Sequence, residues 1–138
     1  MTAGENPAQR PQPSIDRMRR FEIRPRHKLG QNFLIDNNIL DVIAEESKLE
    51  GSDVVFEIGG GLGVLSEYLA DRVKHLHVIE IDESLRPPLE DALAAKSNTD
   101  LLFADAVNIE YCALAPLPNK LVANLPYNVA ATCVIKAF

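Results

Sequence analysis

The stretch Asp53-Val54-Val55-Phe56-Glu57-Ile58-Gly59-Gly60-Gly61-Leu62-Gly63 decides how this chain folds. Val54, Val55, Phe56 and Ile58 make a short run rich in β-branched and aromatic side chains, the pattern of a buried strand. The run passes directly into four glycines. Glycine lets the backbone turn sharply and lets a ligand approach where any Cβ would collide. Helical spacing resumes from Leu62 to about Val73, which predicts a strand, a tight turn and a helix.

The alternation extends both ways. Upstream, Asp36 or Asn37 can cap a helix reaching about Lys48, with Ile39, Leu40, Val42 and Ile43 as its apolar stripe, until Gly51 and Ser52 break it. Downstream, His75 to Ile81 reads as a second strand. A helix is predicted between Glu83 and Lys96, although Pro87 and Pro88 demand a late start or a break. Thr99 to Ala104 and Lys120 to Asn124 are two more short strands, and Val129 onward reads as helix. Strands alternating with helices predict an α/β fold with an open parallel sheet of about four strands. Doubly wound sheets usually carry five or more. The sheet is therefore expected to be incomplete, the front portion of a longer protein, with its fourth strand left as an exposed edge.

Composition narrows the function. The 138 residues are 46% hydrophobic, enough for one domain that buries about two-thirds of its unfolded surface, which excludes disorder throughout. No apolar run approaches the roughly 20 residues that cross a bilayer, and the N-terminus lacks an apolar signal core. The expectation is a cytoplasmic protein without a membrane partner. Cys112 and Cys133 make neither a disulfide framework nor a metal quartet, so no metal is expected and both are read, with Phe33, as packing residues. The formal charge of −6 is unevenly divided: residues 1–28 hold seven basic and three acidic residues, a net +4, and the remaining 110 carry −10. With Pro7, Pro11 and Pro13, residues 1–25 are predicted to be a flexible basic arm, able to attract phosphates or simply to aid solubility. The acidic body is a poor general binder of polyanions.

Chemistry-bearing residues recur at strand ends. The dinucleotide fingerprint beginning at Gly59 would need glycine at position 64, where Val64 stands; Glu57-x-Gly-x-Gly-x-Gly63 matches instead the loop that binds S-adenosylmethionine. Glu80, 21 residues beyond Gly59, ends the second strand, where a carboxylate can accept hydrogen bonds from both ribose hydroxyls. Asp82 points the same way by period two and can assist it. Asp105, after the third strand, can accept from an adenine amino group or cap a turn. Asn124-Leu125-Pro126-Tyr127 follows the fourth strand. A side-chain amide and a backbone carbonyl that accept both N–H bonds of an exocyclic base amine favour sp³ character and aim its lone pair at a methylsulfonium. Proline stiffens the turn and the aromatic ring stacks on the base. A plain Pro turn with a partly buried Tyr is the alternative for this tetrapeptide.

His27-Lys28-Leu29-Gly30-Gln31-Asn32-Phe33-Leu34, followed in order by Glu57–Gly63, Val78–Asp82, Ala104–Ala106 and Asn124–Tyr127, resembles the ribosomal RNA adenine N6-dimethyltransferases over about residues 26–138. The likeness is greatest to the small-subunit branch, which dimethylates two adjacent adenosines near the 3′ end of small-subunit rRNA. It implies a Rossmann-like methyltransferase sheet, S-adenosylmethionine as cofactor, and small-subunit rRNA in a ribosomal precursor particle as partner of a metal-free monomer. It also implies roles. Asn32 and the backbone at Leu34 would close over the cofactor. Gly59 and Gly61 would line its amino-acid end, Glu80 would hold the ribose and Asp105 would contact the adenine. Asn124 would lie between cofactor and target amine, and Leu125, Pro126 and Tyr127 would hold the target base.

Two departures stand out. Gly60 sits where the small-subunit branch often has proline, which is expected to loosen the loop. No helical C-terminal domain of the kind used for RNA docking is expected within these residues, so the isolated chain is expected to be marginally stable and weak or inactive. Two other readings remain: a large-subunit adenine dimethyltransferase of the macrolide-resistance type, whose members usually show Ile in place of Leu125 and a more basic body, and a non-catalytic rRNA-binding assembly factor that keeps the fold. A dehydrogenase is disfavoured by Val64.

Overall fold

In a computed structural model, which describes residues 13–23, 37–124 and 132–135, the apolar run Val54–Ile58 is the central strand β1. It pairs in parallel with β2 (His75–Glu80) on one side and β4 (Lys120–Asn124) on the other, and β2 pairs in parallel with β3 (Thr99–Phe103). The order β3-β2-β1-β4-β5 brings all four parallel strands to one carboxyl edge. Strand order reverses beside β1, and open α/β sheets bind ligands in the crevice at such a point. At the opposite edge Asp53 ties the starts of β1 and β4 together. It accepts from Lys120 Nζ at 2.6 Å, Asn119 Nδ2 at 2.9 Å and the Glu50 amide at 2.7 Å. Burial opposes ionisation there, but these donors together hold the Asp53 carboxyl below its usual range.

β5 (Thr132–Ile135) runs antiparallel to β4. The sequence predicted helix here and an exposed fourth strand; both expectations are corrected. Thr132, Val134 and Ile135 are β-branched and favour a pleated backbone, and β4 offers an otherwise unpaired row of amides and carbonyls. The other strands fall where predicted, and the helix predicted from Leu62 to about Val73 is confined to Val64–Ala70.

One face of the sheet carries Val55, Leu76, Val78 and Val122, which join a single core with Leu40 and Ile43 of α2 (Asn37–Ser47), Leu65 and Leu69 of α3 (Val64–Ala70), and Leu89 and Leu93 of α4 (Arg86–Leu93). Val42, predicted in the apolar stripe, is exposed. Leu40, Ile43 and Ser47 are buried at spacings of three and four, and position 42 falls on another face. The late start required by Pro87 and Pro88 is met by one 3₁₀ turn, Glu83–Leu85, after which both prolines occupy the first helical positions, where no intrahelical N–H is needed. Cys112, read as a packing residue, is exposed. Among the described residues no helix is long and apolar enough to cross a membrane.

The predicted flexible arm contains a helix, α1 (Pro13–Arg20), that docks on the body. Ser14 is buried, Met18 packs against the core, Arg20 pairs with Asp91 of α4, and Arg17 bonds Glu67 of α3 and donates to the Leu62 carbonyl at 2.9 Å. Three prolines and a high charge obscured this helix in sequence. Its anchor is an arginine satisfied by residues some fifty positions away, which no local pattern encodes.

Gly63 has φ +84°, and a Cβ there would lie 2.5 Å from the Ala92 Cβ and 3.3 Å from Arg17. Gly63→Ala combines a left-handed backbone with an overlap and should destabilise the protein by about 2–4 kcal/mol in urea unfolding. Gly51→Ala, where a Cβ meets nothing within 4 Å, should stay within about 0.5 kcal/mol of the parent.

Candidate active site at the carboxyl edge

The glycine turn begins where β1 ends and leans on β2. The Gly59 amide donates to the Ile79 carbonyl at 2.7 Å, extending the ladder by one bond beyond the strand. The Gly61 amide donates to Glu80 Oε1 at 2.9 Å. Glu80 Oε2 accepts from the Asp82 amide at 2.9 Å, and the side chain is nearly buried. Both oxygens are thus held by backbone donors, and each keeps a further lone pair to offer. At Gly60, expected to loosen the loop, a Cβ would lie 2.7 Å from Val78 Cγ1 and 2.9 Å from Leu89 Cδ2. The missing side chain lets the loop close onto the core.

Gly59, Gly61, Glu80, Asp105 and the backbone of Asn124 lie at the ends of four adjacent strands, spread over roughly 14 Å at about 4.8 Å per strand. Asp105 is exposed, and its Oδ1 accepts from the Val107 amide at 3.1 Å, so the turn cap that competed with a ligand role is made. Asp82, a possible helper of Glu80, caps the next turn: its Oδ1 accepts from the Ser84 amide and hydroxyl at 3.0 and 2.7 Å. Asn32, Leu34, Leu125, Pro126 and Tyr127 lie outside the described residues.

Sequence reasoning quoted Glu57 as part of a motif and gave it no role. It is fully buried beneath the loop, with Ser66 Oγ donating to its Oε1 at 2.6 Å and Oε2 without a partner among the described residues. Burial raises its pKa to about 8; the Ser66 bond works against this, and the Glu80 charge adds to it. Glu57 is therefore protonated in the folded protein at neutral pH. The signal was available: a carboxyl on the inward face of a strand, flanked by apolar residues, has nowhere to ionise.

Unfolded, the same group titrates near 4.5. Between 4.5 and about 8 the folded state holds a proton that the unfolded state has lost, so this group's contribution to stability falls as pH rises. Glu57→Gln removes the linkage. In urea unfolding from mildly acidic to mildly alkaline pH, the parent should lose stability relative to E57Q by roughly 1 kcal/mol per pH unit. Parallel profiles for the two proteins would contradict a protonated Glu57.

Comparison with known proteins agrees with this edge. The sequence model of the family "Ribosomal RNA adenine dimethylase" matches residues 23–138. A ribosomal RNA small subunit methyltransferase A from Rubrobacter xylanophilus is 44% identical over 113 residues, 82% of this chain and 42% of the relative. One from Pelotomaculum thermopropionicum is 37% identical over 130 residues, 86% of this chain and 44% of the relative. The chain thus spans less than half the length of these curated relatives. Among solved structures, the dimethyladenosine transferase of Plasmodium falciparum superimposes with a TM-score of 0.51 at 25% identity, over 64% of this chain and 41% of that one. The 23S rRNA methyltransferase ErmE gives 0.54 at 28% identity, over 67% and 47%. With the family match running through every motif at the sheet's carboxyl edge, the chain belongs to the ribosomal RNA adenine dimethylase family.

Proposed function

We propose that this chain carries the cofactor-binding and catalytic edge of an S-adenosylmethionine-dependent enzyme that dimethylates N6 of two adjacent adenosines near the 3′ end of small-subunit rRNA, acting on a ribosomal precursor particle in the cytoplasm. The observation that carries the reading is the Glu80 carboxylate, buried at the end of β2 and bonded to the Gly61 amide. Backbone donors aim both of its oxygens, with lone pairs left for vicinal hydroxyls. The glycines at positions 60 and 63 seat the loop tightly on Val78, Leu89 and Ala92, which fixes its path beside Glu80. The small-subunit relatives, at 37–44% identity, favour that target over the large-subunit one, toward which ErmE stands at 28%.

When bound, the cofactor supplies a methyl group on a positively charged sulfur. The chain's own residues then divide the work. Glu80 accepts from the ribose hydroxyls, and Asp105 contributes an acceptor for the adenine amine while capping its turn. Asn124 accepts an N–H of the target amine and, with the Leu125 carbonyl, localises the nitrogen lone pair. Tyr127 stacks on the displaced base. No strong general base is required, because the methylated nitrogen is acidic and loses its proton to water.

Calorimetry with S-adenosylmethionine and the full chain tests the division of labour. Glu80→Ala should weaken binding by about 1–3 kcal/mol, the cost of a lost charged hydrogen bond. Asn124→Ala should spare affinity more than turnover, the latter read by mass spectrometry of digested rRNA, which also identifies the subunit modified. Equal loss of affinity in both variants would overturn the assignment, and tight rRNA binding without cofactor binding would select the assembly-factor reading.

A further inference from the structure

Away from the carboxyl edge, His75 and His77 sit two apart on β2 and so share a face, and β3 places Asp100 directly opposite His77. His75 Nε2 lies 2.7 Å from Asp100 Oδ2 and His77 Nδ1 lies 3.5 Å from the same oxygen, with the two rings 4.7 Å apart. All three ligand atoms fall within 4.8 Å of one another. His77 is buried, and its Nε2 is 2.8 Å from the Pro116 carbonyl. A carbonyl only accepts, so Nε2 must carry the hydrogen. His77 Nδ1 then faces the Asp100 carboxylate at 3.5 Å, beyond a good N–H···O bond. A metal ion answers this spacing well: ligands bound at about 2.0–2.1 Å in tetrahedral geometry stand roughly 3.3 Å apart. A ligating histidine whose other ring nitrogen donates to a backbone carbonyl is the usual supporting arrangement.

We propose that His75 Nε2, His77 Nδ1 and the Asp100 carboxylate form a site for a borderline divalent cation of the zinc class, with water completing the coordination. Two imidazoles and one carboxylate suit zinc, cobalt or nickel better than calcium or magnesium. Asp100 is largely exposed, so its carboxylate can withdraw the half ångström or so that a bound ion needs. The ion would clip β2, β3 and the Pro116 segment together at the amino edge of the sheet. Along β2, His77 and His75 lie about 10 and 16 Å from Glu80, on the opposite face of the strand, so the site stands apart from the proposed methyl-transfer edge. The sequence reading expected no metal because it counted cysteines and did not weigh a His-x-His pair on a strand.

The test uses the full chain, stripped with a chelator and titrated with zinc alone by calorimetry, then with cobalt by visible absorption. One zinc should bind saturably, cobalt should develop the intense bands of a four-coordinate N/O site, and zinc should raise the thermal unfolding midpoint. His75→Gln and Asp100→Asn, both at surface-accessible side chains, should each weaken zinc binding at least tenfold and lose that rise while keeping the parent's circular dichroism. Variants that bind zinc as the parent does would overturn the site. A parent that takes up no zinc and gives cobalt only its hydrated spectrum would overturn it without recourse to any variant.

Discussion

The loop after β1 is held from the side, and the rest of the active edge depends on that hold. Gly59 continues the β1–β2 ladder by one bond to Ile79, and Gly61 hands its amide to the Glu80 carboxylate. A loop free of side chains has little else to define it, so the neighbouring strand must supply its shape. The same two bonds bring an acid from β2 against a turn from β1. One parallel register therefore sets both the path of the loop and the position of its carboxylate.

Two acids on adjacent strands illustrate how environment separates like groups. Glu57 and Glu80 belong to neighbouring strands and are both buried, yet their surroundings differ. Backbone amides donate to both oxygens of Glu80, whereas Glu57 receives one hydroxyl and has one oxygen without a partner among the described residues. The first is positioned to accept from hydroxyl donors, and the second is a protonated acid filling space beneath the loop. Had both been ionised, the loop would rest on two mutually repelling charges.

Much of this was legible in the sequence because the decisive signals are local. Val54–Ile58 running into glycine, Pro87 and Pro88 at a helix start, and Lys120–Asn124 as a strand each speak through backbone preferences over a few residues. The family motifs followed in order along those strand ends. What the sequence hid depends on distant partners. The helix at Pro13–Arg20 owes its place to the Leu62 carbonyl and Glu67. Residues 132–135 became a strand because β4 had an edge to fill. Asp105 and Asp82 also cap the turns that follow them, a use that short polar side chains readily find and that spacing does not reveal.

α1 lies wholly before residue 23, where the family match begins. The motifs shared with relatives are thus braced by a segment that the family signature does not contain. Arg17 touches the Leu62 carbonyl, which lies between Gly63 and Gly61, whose amide Glu80 holds. Any event that pulls the N-terminal segment away, whether a polyanion competing for its arginines or a protease cutting behind Arg20, would be felt as slack in the loop. The N-terminal helix is thus mechanically wired to the glycine turn.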